Sequence, residues 1–303
     1  MNSIIAKQNE DRMLSLVRAR RRIYKTAKRY QGAVVLMTLL LPVISLAVAN
    51  FAPAAKAYVA VTALLFSICD VVFMDRWNKG LMKDAAKLQE EFDCEVLAMR
   101  RNEFVVGAGV DPEEIYQLSV EKLNADGESQ LRNWYPVAVG KVPLHVARIL
   151  CQRENLLYDG KVRKTYGRLL TICLIALVVV LFIYSLAAEL KLDAFVLTVL
   201  VPAMPVVNWA IRELFRQKST VETLDRLKAE SEKLWKKVVE GMSETDAAER
   251  SRELQDAIYN HRVASPLVFD FLYRYRRASL EAQMNAGAEH LVDGFLKKKA
   301  AAI

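Results

Sequence analysis

The chain has 303 residues, 53% hydrophobic and 26% charged, with a net charge of +8. Its apolar residues concentrate in four nearly uncharged runs, and the charges crowd into the segments between them. That distribution excludes an ordinary soluble enzyme, a disordered chain and a disulfide scaffold.

Residues 1–32 form a basic arm with nine Lys/Arg against two acids, Glu10 and Asp11. The arm holds nearly all of the net charge, because residues 76–167 carry 14 basic and 14 acidic groups and residues 212–303 carry 17 and 15. Beside a membrane span, such an arm most simply meets anionic lipid at about 1 kcal/mol per charge, with binding of a polyanion as the alternative. Two apolar runs follow, 33–51, interrupted by Pro42, and 57–74, with Asp70 near its end. A spanning helix needs roughly 20 mainly apolar residues, so both read as spans. Residues 75–168 read as a helical region. Leu81, Ala85, Leu88, Phe92 and Val96 recur near a 3.6 period, and Asp111-Pro112-Glu113-Glu114 is a helix start. Residues 143–158 continue the helical pattern, and only 104–106 and 134–139 read as extended. Spans three and four are 169–188 and 194–211, the latter with Pro202, Pro205 and Asn208. Residues 212–303 form a second helical region, with helices over 220–240 (an extension of span four), 243–262 and 267–292.

The basic flanks set the topology. The links between paired spans hold only Lys56 and Lys191, whereas Arg76, Lys79 and Lys83, then Lys161, Arg163, Lys164 and Arg168, then Arg212, Arg216 and Lys218 line the other side. A Lys/Arg excess marks the cytoplasmic face. The expected fold is therefore an all-α membrane protein: four transmembrane helices, both termini cytoplasmic, and a helical cytoplasmic domain built from the central loop and the C-terminal region.

Catalytic motifs are missing. Cys69, Cys94, Cys151 and Cys173 form no CxxC pair and read as reduced, buried, structural thiols. His145, His261 and His290 lack metal-ligand spacing, and no Walker loop, GxSxG, HExxH or GxGxxG occurs. No catalytic residue, metal or cofactor is expected, and no enzyme. Within the spans, Asp70 either faces a bundle interior or reaches the interface, with Asn208 at the same depth. Pro202 and Pro205 free backbone carbonyls, which suits either a gate or a fixed packing kink.

Several blocks in order around the four runs carry a family resemblance. They are Ile4-Ile5-Ala6-Lys7-Gln8-Asn9 with the basic helix through Tyr24 and Lys28, Gln89-Glu90-Glu91-Phe92-Asp93, Asn133-Trp134-Tyr135-Pro136, and Cys151-Gln152-Arg153-Glu154-Asn155 with Tyr158-Asp159 and Arg163. Gln255 to Arg262, then Phe269-Asp270-Phe271-Leu272-Tyr273 and Arg276, complete the set. The chain resembles the SMODS-associating four-transmembrane effectors, pore-formers of bacterial CBASS anti-phage systems. The resemblance implies a receptor and executioner in one chain, located in the bacterial inner membrane. A nucleotidyltransferase makes a cyclic di- or trinucleotide; the effector binds it, oligomerises or opens, and breaches the membrane in abortive infection.

A site for such a ligand needs Arg forks for phosphates and aromatic or Arg planes for bases. The blocks best stocked are Arg148, Gln152, Arg153 and Asn155; Asn133, Trp134 and Tyr135; and Tyr259, His261 and Arg262 with Tyr273, Arg276 and Arg277. Each block also admits a reading as intramolecular ion pairs or buried aromatics. Asp70, Pro202, Pro205 and Asn208 are the pore or gate candidates. Partners expected are lipid, the cyclic oligonucleotide and further copies of the chain, because four packed helices fill their own interior; no DNA or RNA is expected. Two other functions remain open: a secondary transporter or constitutive channel with Asp70 and Asn208 in the pathway, and a passive membrane scaffold.

Overall fold

The computed structural model describes residues 2–55, 58, 61, 62, 65, 75–120 and 123–301. Among them the regular structure is helical throughout, without a strand. The long helices are α1 (Asp11–Phe51), α2 (Asp75–Val96), α3 (Leu144–Ala187), α4 (Val201–Val239), α5 (Glu244–Ala264) and α6 (Asp270–Ala301). Asp70 and most of the second apolar run lie outside the described residues.

Local chemistry explains the helix ends. α4 stops at Gly241, whose φ of 105° only glycine adopts freely. The Met242 N–H then reaches Lys237 O at 3.0 Å and the Gly241 N–H reaches Val238 O at 3.2 Å, closing the last turn. α5 starts two residues on, where Ser243 Oγ accepts the Asp246 N–H at 3.1 Å. α2 ends the same way as α4 but with Ala98 at φ 49°, a left-handed position that strains a residue with a Cβ. Arg148 offsets the cost: its Nε donates to Leu97 O at 2.7 Å and its Nη2 to Ala98 O.

The two stretches expected to be extended are not strands. Glu103–Val106 is a helical turn, and Val137–Lys141 is a 3-10 helix. Trp134, Tyr135, Val137 and Val139 give 134–139 a strand-like composition, yet among the described residues no strand lies alongside it. Asn133 turns the chain at φ 54°, and side-chain amides of the N-terminal segment take the backbone groups a strand would have paired. The Tyr135 N–H donates to Gln8 Oε1 at 2.7 Å, and the Asn133 N–H to Asn9 Oδ1 at 3.0 Å. Asn2 Nδ2 donates to Val139 O and Val142 O, both at 2.8 Å. The first nine residues are thereby sewn to a segment about 130 positions away.

The structure has a polar body and an apolar half. In the body, Met13 and Leu16 of α1, Leu88 and Phe92 of α2, and Ile149 and Leu150 of α3 are buried in one core, with Trp235 of α4 at its edge. α1 and α3 then run on without a break into apolar sequence. There Leu36, Leu40, Val43 and Ile44 of α1, and Ile172, Val178, Phe182 and Leu186 of α3, are exposed. Among the described residues, α3 is the helix long and apolar enough to cross a membrane. Before α4 the chain makes a short helix, Leu192–Phe195, and one π turn, Val196–Leu200. Pro202 lies in the first turn of α4 and Pro205 inside it. Cys94 and Cys151 are buried free thiols, but Cys173 is exposed on apolar α3, contrary to the expectation that all four are buried.

Candidate ligand site in the polar body

Two buried polar networks stand side by side in the body. The first is centred on Asp93, which α2 buries completely. Its Oδ1 accepts from Gln89 Nε2 at 2.7 Å and from the Tyr135 hydroxyl at 2.8 Å. Its Oδ2 accepts from Arg262 Nη1 at 2.7 Å and Gln255 Nε2 at 3.0 Å. One turn earlier, fully buried Glu90 accepts from Arg252 Nη2 at 2.6 Å and Gln255 Nε2 at 2.8 Å. Gln152 Nε2 joins by donating to Gln255 Oε1 at 3.0 Å and Ser251 O at 2.8 Å. Burial would pull Arg262 down, but Asp93 holds it above its ordinary value. Burial, with Asp93 adding, pushes the Tyr135 phenol well up, so it stays a neutral donor.

The second network is centred on Asp159 and Arg163, one turn apart on α3. Arg163 Nε lies 3.0 and 2.9 Å from the two carboxylate oxygens, and its Nη1 donates to Gln217 Oε1 at 3.0 Å and Pro266 O at 2.8 Å. His261 Nε2 sits 3.3 Å from Asp159 Oδ2. Burial alone would raise the Asp159 carboxyl; Arg163 and then His261 overrule it and hold it well below the usual carboxylate range.

Between these networks α1 presents Arg20, Tyr24 and Lys28, spaced i, i+4, i+8 and so on one face. The Arg20 guanidinium lies 4.4 Å over the Trp134 ring, and its Nε is buried without a hydrogen-bond partner. Burial draws Arg20 below its ordinary value; Tyr24 opposes this and Arg262 adds to it. Lys28 pairs with Asp270 and lies 4.7 Å over Tyr273 and 5.9 Å over Tyr24. The Trp134 indole donates to Asn155 Oδ1 at 3.3 Å, and Asn155 Nδ2 to the Tyr135 hydroxyl at 3.2 Å. The cluster thus combines cations held at an electrostatic cost with ring faces, the chemistry that phosphates and bases require.

The structure gathers some of the sequence candidates and scatters others. Trp134, Tyr135, Gln152, Asn155 and Arg262 converge on the first network. His261 joins the second, and Tyr273 meets Lys28. Arg148 instead caps α2. Arg153 pairs with Glu154 at 2.6 Å and Glu232 at 3.4 Å. Tyr259 instead donates to Val106 O at 3.4 Å. Arg277 pairs with Glu281 at 2.6 Å and donates to Gln130 O at 3.2 Å, while Arg276 Nε is buried without a partner. Asn208 and Pro205 lie in α4 and Pro202 at its start, far along the chain from this cluster. Arg20, Tyr24 and Lys28 were not among the sequence candidates, because the arm was read by its charge. Arg18 ion-pairs with Glu128 at 2.8 Å and Arg12 with Glu95 at 2.7 Å, so much of the arm faces the body. The i, i+4, i+8 stripe was the available signal.

Blocks distant in sequence meet here, and comparison with known families accounts for them together. The chain matches the model of the SMODS-associating 4TM effector domain over residues 2–291. The chain belongs to this family. The matched span takes in both networks and the α1 stripe. A curated relative from Bacillus cereus (strain VD146), a probable CBASS effector molecule, is 25% identical over 291 residues, 93% of this chain and 95% of the relative. No solved structure matches. Among the described residues, no group of three or more His, Cys, Asp or Glu could hold a metal ion.

Proposed function

We propose that the chain is a non-enzymatic CBASS effector of anti-phage defence, gated by a cyclic di- or trinucleotide and acting by disrupting the bacterial inner membrane. Family membership and the relative's description support the defence role. The four apolar runs, exposed on α1 and α3 where described, support a four-span membrane part with both termini cytoplasmic. The observation that carries the ligand reading is Arg20: a guanidinium stacked on Trp134, its Nε buried and unbonded, beside Tyr24, Lys28 and Arg262. A phosphate supplies the missing acceptor, and the ring faces receive bases.

The mechanism follows from continuity. Arg20, Tyr24 and Lys28 stand on the helix that runs on through 33–51, and Asp159 and Arg163 on the helix that runs on through 169–188. A polyanion competes with Asp93 and Asp270 for Arg262 and Lys28, and re-pairing those cations shifts α1 and α3 against each other. Moving a two-state equilibrium from about 1:99 to 99:1 needs roughly 5.5 kcal/mol of differential affinity, which several ligands on a homo-oligomer supply. The π turn at Val196–Leu200, followed by Pro202 and Pro205, gives span four a place to bend.

Isothermal titration of the purified chain with a panel of cyclic oligonucleotides, beside dye release from liposomes, tests both halves. Binding by one member with ligand-dependent leakage is expected. Binding by none removes the ligand half, and leakage from a chain that stays monomeric by crosslinking removes the assembly half.

A further inference from the structure

A groove of about 910 Å3 opens between α3 and α4 where the polar body gives way to the apolar half. Its inner end is closed by Arg163 and Gln217, which are bonded to each other and, through Arg163, to Asp159. Its walls share one gradient. On α3, Lys164, Arg168 and Ile172 follow at i, i+4, i+8; on α4, Lys218, Phe215 and Ile211 descend in the opposite chain direction. The helices are antiparallel, so both walls pass from cation to hydrocarbon the same way. Lys164 is neutralised by Asp225 at 2.7 Å. Arg168 makes only a long 3.4 Å bond to Lys164 O, and among the described residues neither it nor Lys218 has a carboxylate at ion-pair distance. Gly167 opens the wall between them: a Cβ there would meet nothing within 4 Å.

We propose that this groove binds one anionic phospholipid of the cytoplasmic leaflet, its phosphate on Arg168 and Lys218 and an acyl chain along Ile172, Ile211 and Phe215. The inference rests on the membrane reading above. Charge complementarity selects the occupant: two unneutralised cations at the mouth of an apolar channel, at the level of basic flanks, fit a headgroup with a tail. A cyclic oligonucleotide would find hydrocarbon where its bases need ring faces, and a helix from a second copy would have to bring carboxylates to the mouth.

The test uses the detergent-purified full chain, titrated by native mass spectrometry with dioleoyl phosphatidylglycerol and dioleoyl phosphatidylcholine. The wild type prefers phosphatidylglycerol. At about 1 kcal/mol per cation, Arg168→Ala with Lys218→Ala lowers phosphatidylglycerol affinity roughly 30-fold, to the phosphatidylcholine level. Gly167→Leu fills the wall without changing charge and weakens both lipids, while circular dichroism stays that of the wild type. Equal binding of the two lipids by wild type overturns the site, as does undiminished phosphatidylglycerol binding by the double variant. A Gly167→Leu chain that changes oligomeric state with unaltered lipid binding also overturns it, assigning the groove to a contact between copies. Carbonate extraction separates the two readings: a wild-type chain that resists extraction yet shows no lipid preference loses the groove and keeps the membrane.

Discussion

The two halves of α3 differ in what surrounds them. In the first half Val146, Ile149, Leu150 and Cys151 are fully buried by α1, α2 and neighbouring segments. In the second half Ile172, Val178, Phe182 and Leu186 are each more than half exposed, with almost no protein over them. Both halves carry large apolar side chains, but the first interleaves them with Arg148, Arg153, Glu154, Asp159 and Arg163, whereas 169–187 holds no charged residue. The lesson lies in the polar groups: the first half ends beside two ion networks that require a precise protein environment, whereas the second contains nothing that asks for water or for a partner. One helix serves two solvents, protein interior and, on the proposed reading, lipid.

The sharpest way to break the first half is Asp93→Ala. It leaves Arg262 without its carboxylate and the buried Tyr135 hydroxyl without an acceptor, and losing one member of a buried pair costs about 3–5 kcal/mol. Thermal unfolding of the detergent-purified chain should show a large loss, which Asp93→Asn only partly restores. The matching change in the second half is Val179→Asp. A charged residue at the centre of a spanning helix costs about 3 kcal/mol of insertion, whereas on a water-facing helix it costs almost nothing. An insertion assay that reads no loss would place this half in water.

A third variant probes the ligand cluster. Arg20→Ala should lower cyclic-oligonucleotide affinity by about 2 kcal/mol, near 30-fold, with little change in melting temperature, because Arg20 Nε bonds nothing in the free protein. Arg20→Lys should rescue poorly, since an ammonium keeps the charge and loses the planar stack on Trp134. A fourth, Pro202→Ala with Pro205→Ala, should cut dye release about tenfold, near 1.4 kcal/mol, while affinity stays near normal. Lost expression instead would mark a kink needed for packing, and full leakage in a well-folded variant would end the bending idea.

The smallest expected effect is a pH dependence at Asp159. Its folded value lies below its unfolded one, so the pair stabilises the protein above about pH 4, and that contribution fades as the pH falls further through the folded value. Stability measured from pH 6 down to 3 should therefore fall less steeply in Asp159→Asn, by on the order of 1 kcal/mol, than in wild type.

Where periodicity was strong, the sequence carried the helices: the repeat from Leu81 to Val96 lies within Asp75–Val96, and 243–262 reads against Glu244–Ala264. The 220–240 pattern was read as running on from the fourth apolar run, and α4 is one helix through both. The strand-like 134–139 was misread because composition does not reveal that Gln8 and Asn9, more than 120 residues earlier, take the backbone bonds. The site was half legible. Trp134, Asn155, Arg262 and Tyr273 have the right chemistry and come together with the α1 stripe, but Arg148 and Arg153 have the same chemistry and are spent on a helix end and on two glutamates. Residue type marks what a side chain can do; only the packing decides which partner reaches it first.

The stitching of the N-terminal segment also orders events during synthesis. Gln8 waits for Tyr135, and Asp93 waits for Arg262, 169 positions later. At about 5–20 residues per second, the gap between Gln8 and Arg262 leaving the ribosome is roughly 13 to 50 seconds. By the end of that time the runs 33–51 and 169–188 have emerged, and until then the cluster around Arg20 has no Arg262 and no Tyr273. A truncated or nascent chain is thus unable to assemble the cluster, and on the proposed reading the ligand site is complete only when translation is nearly finished.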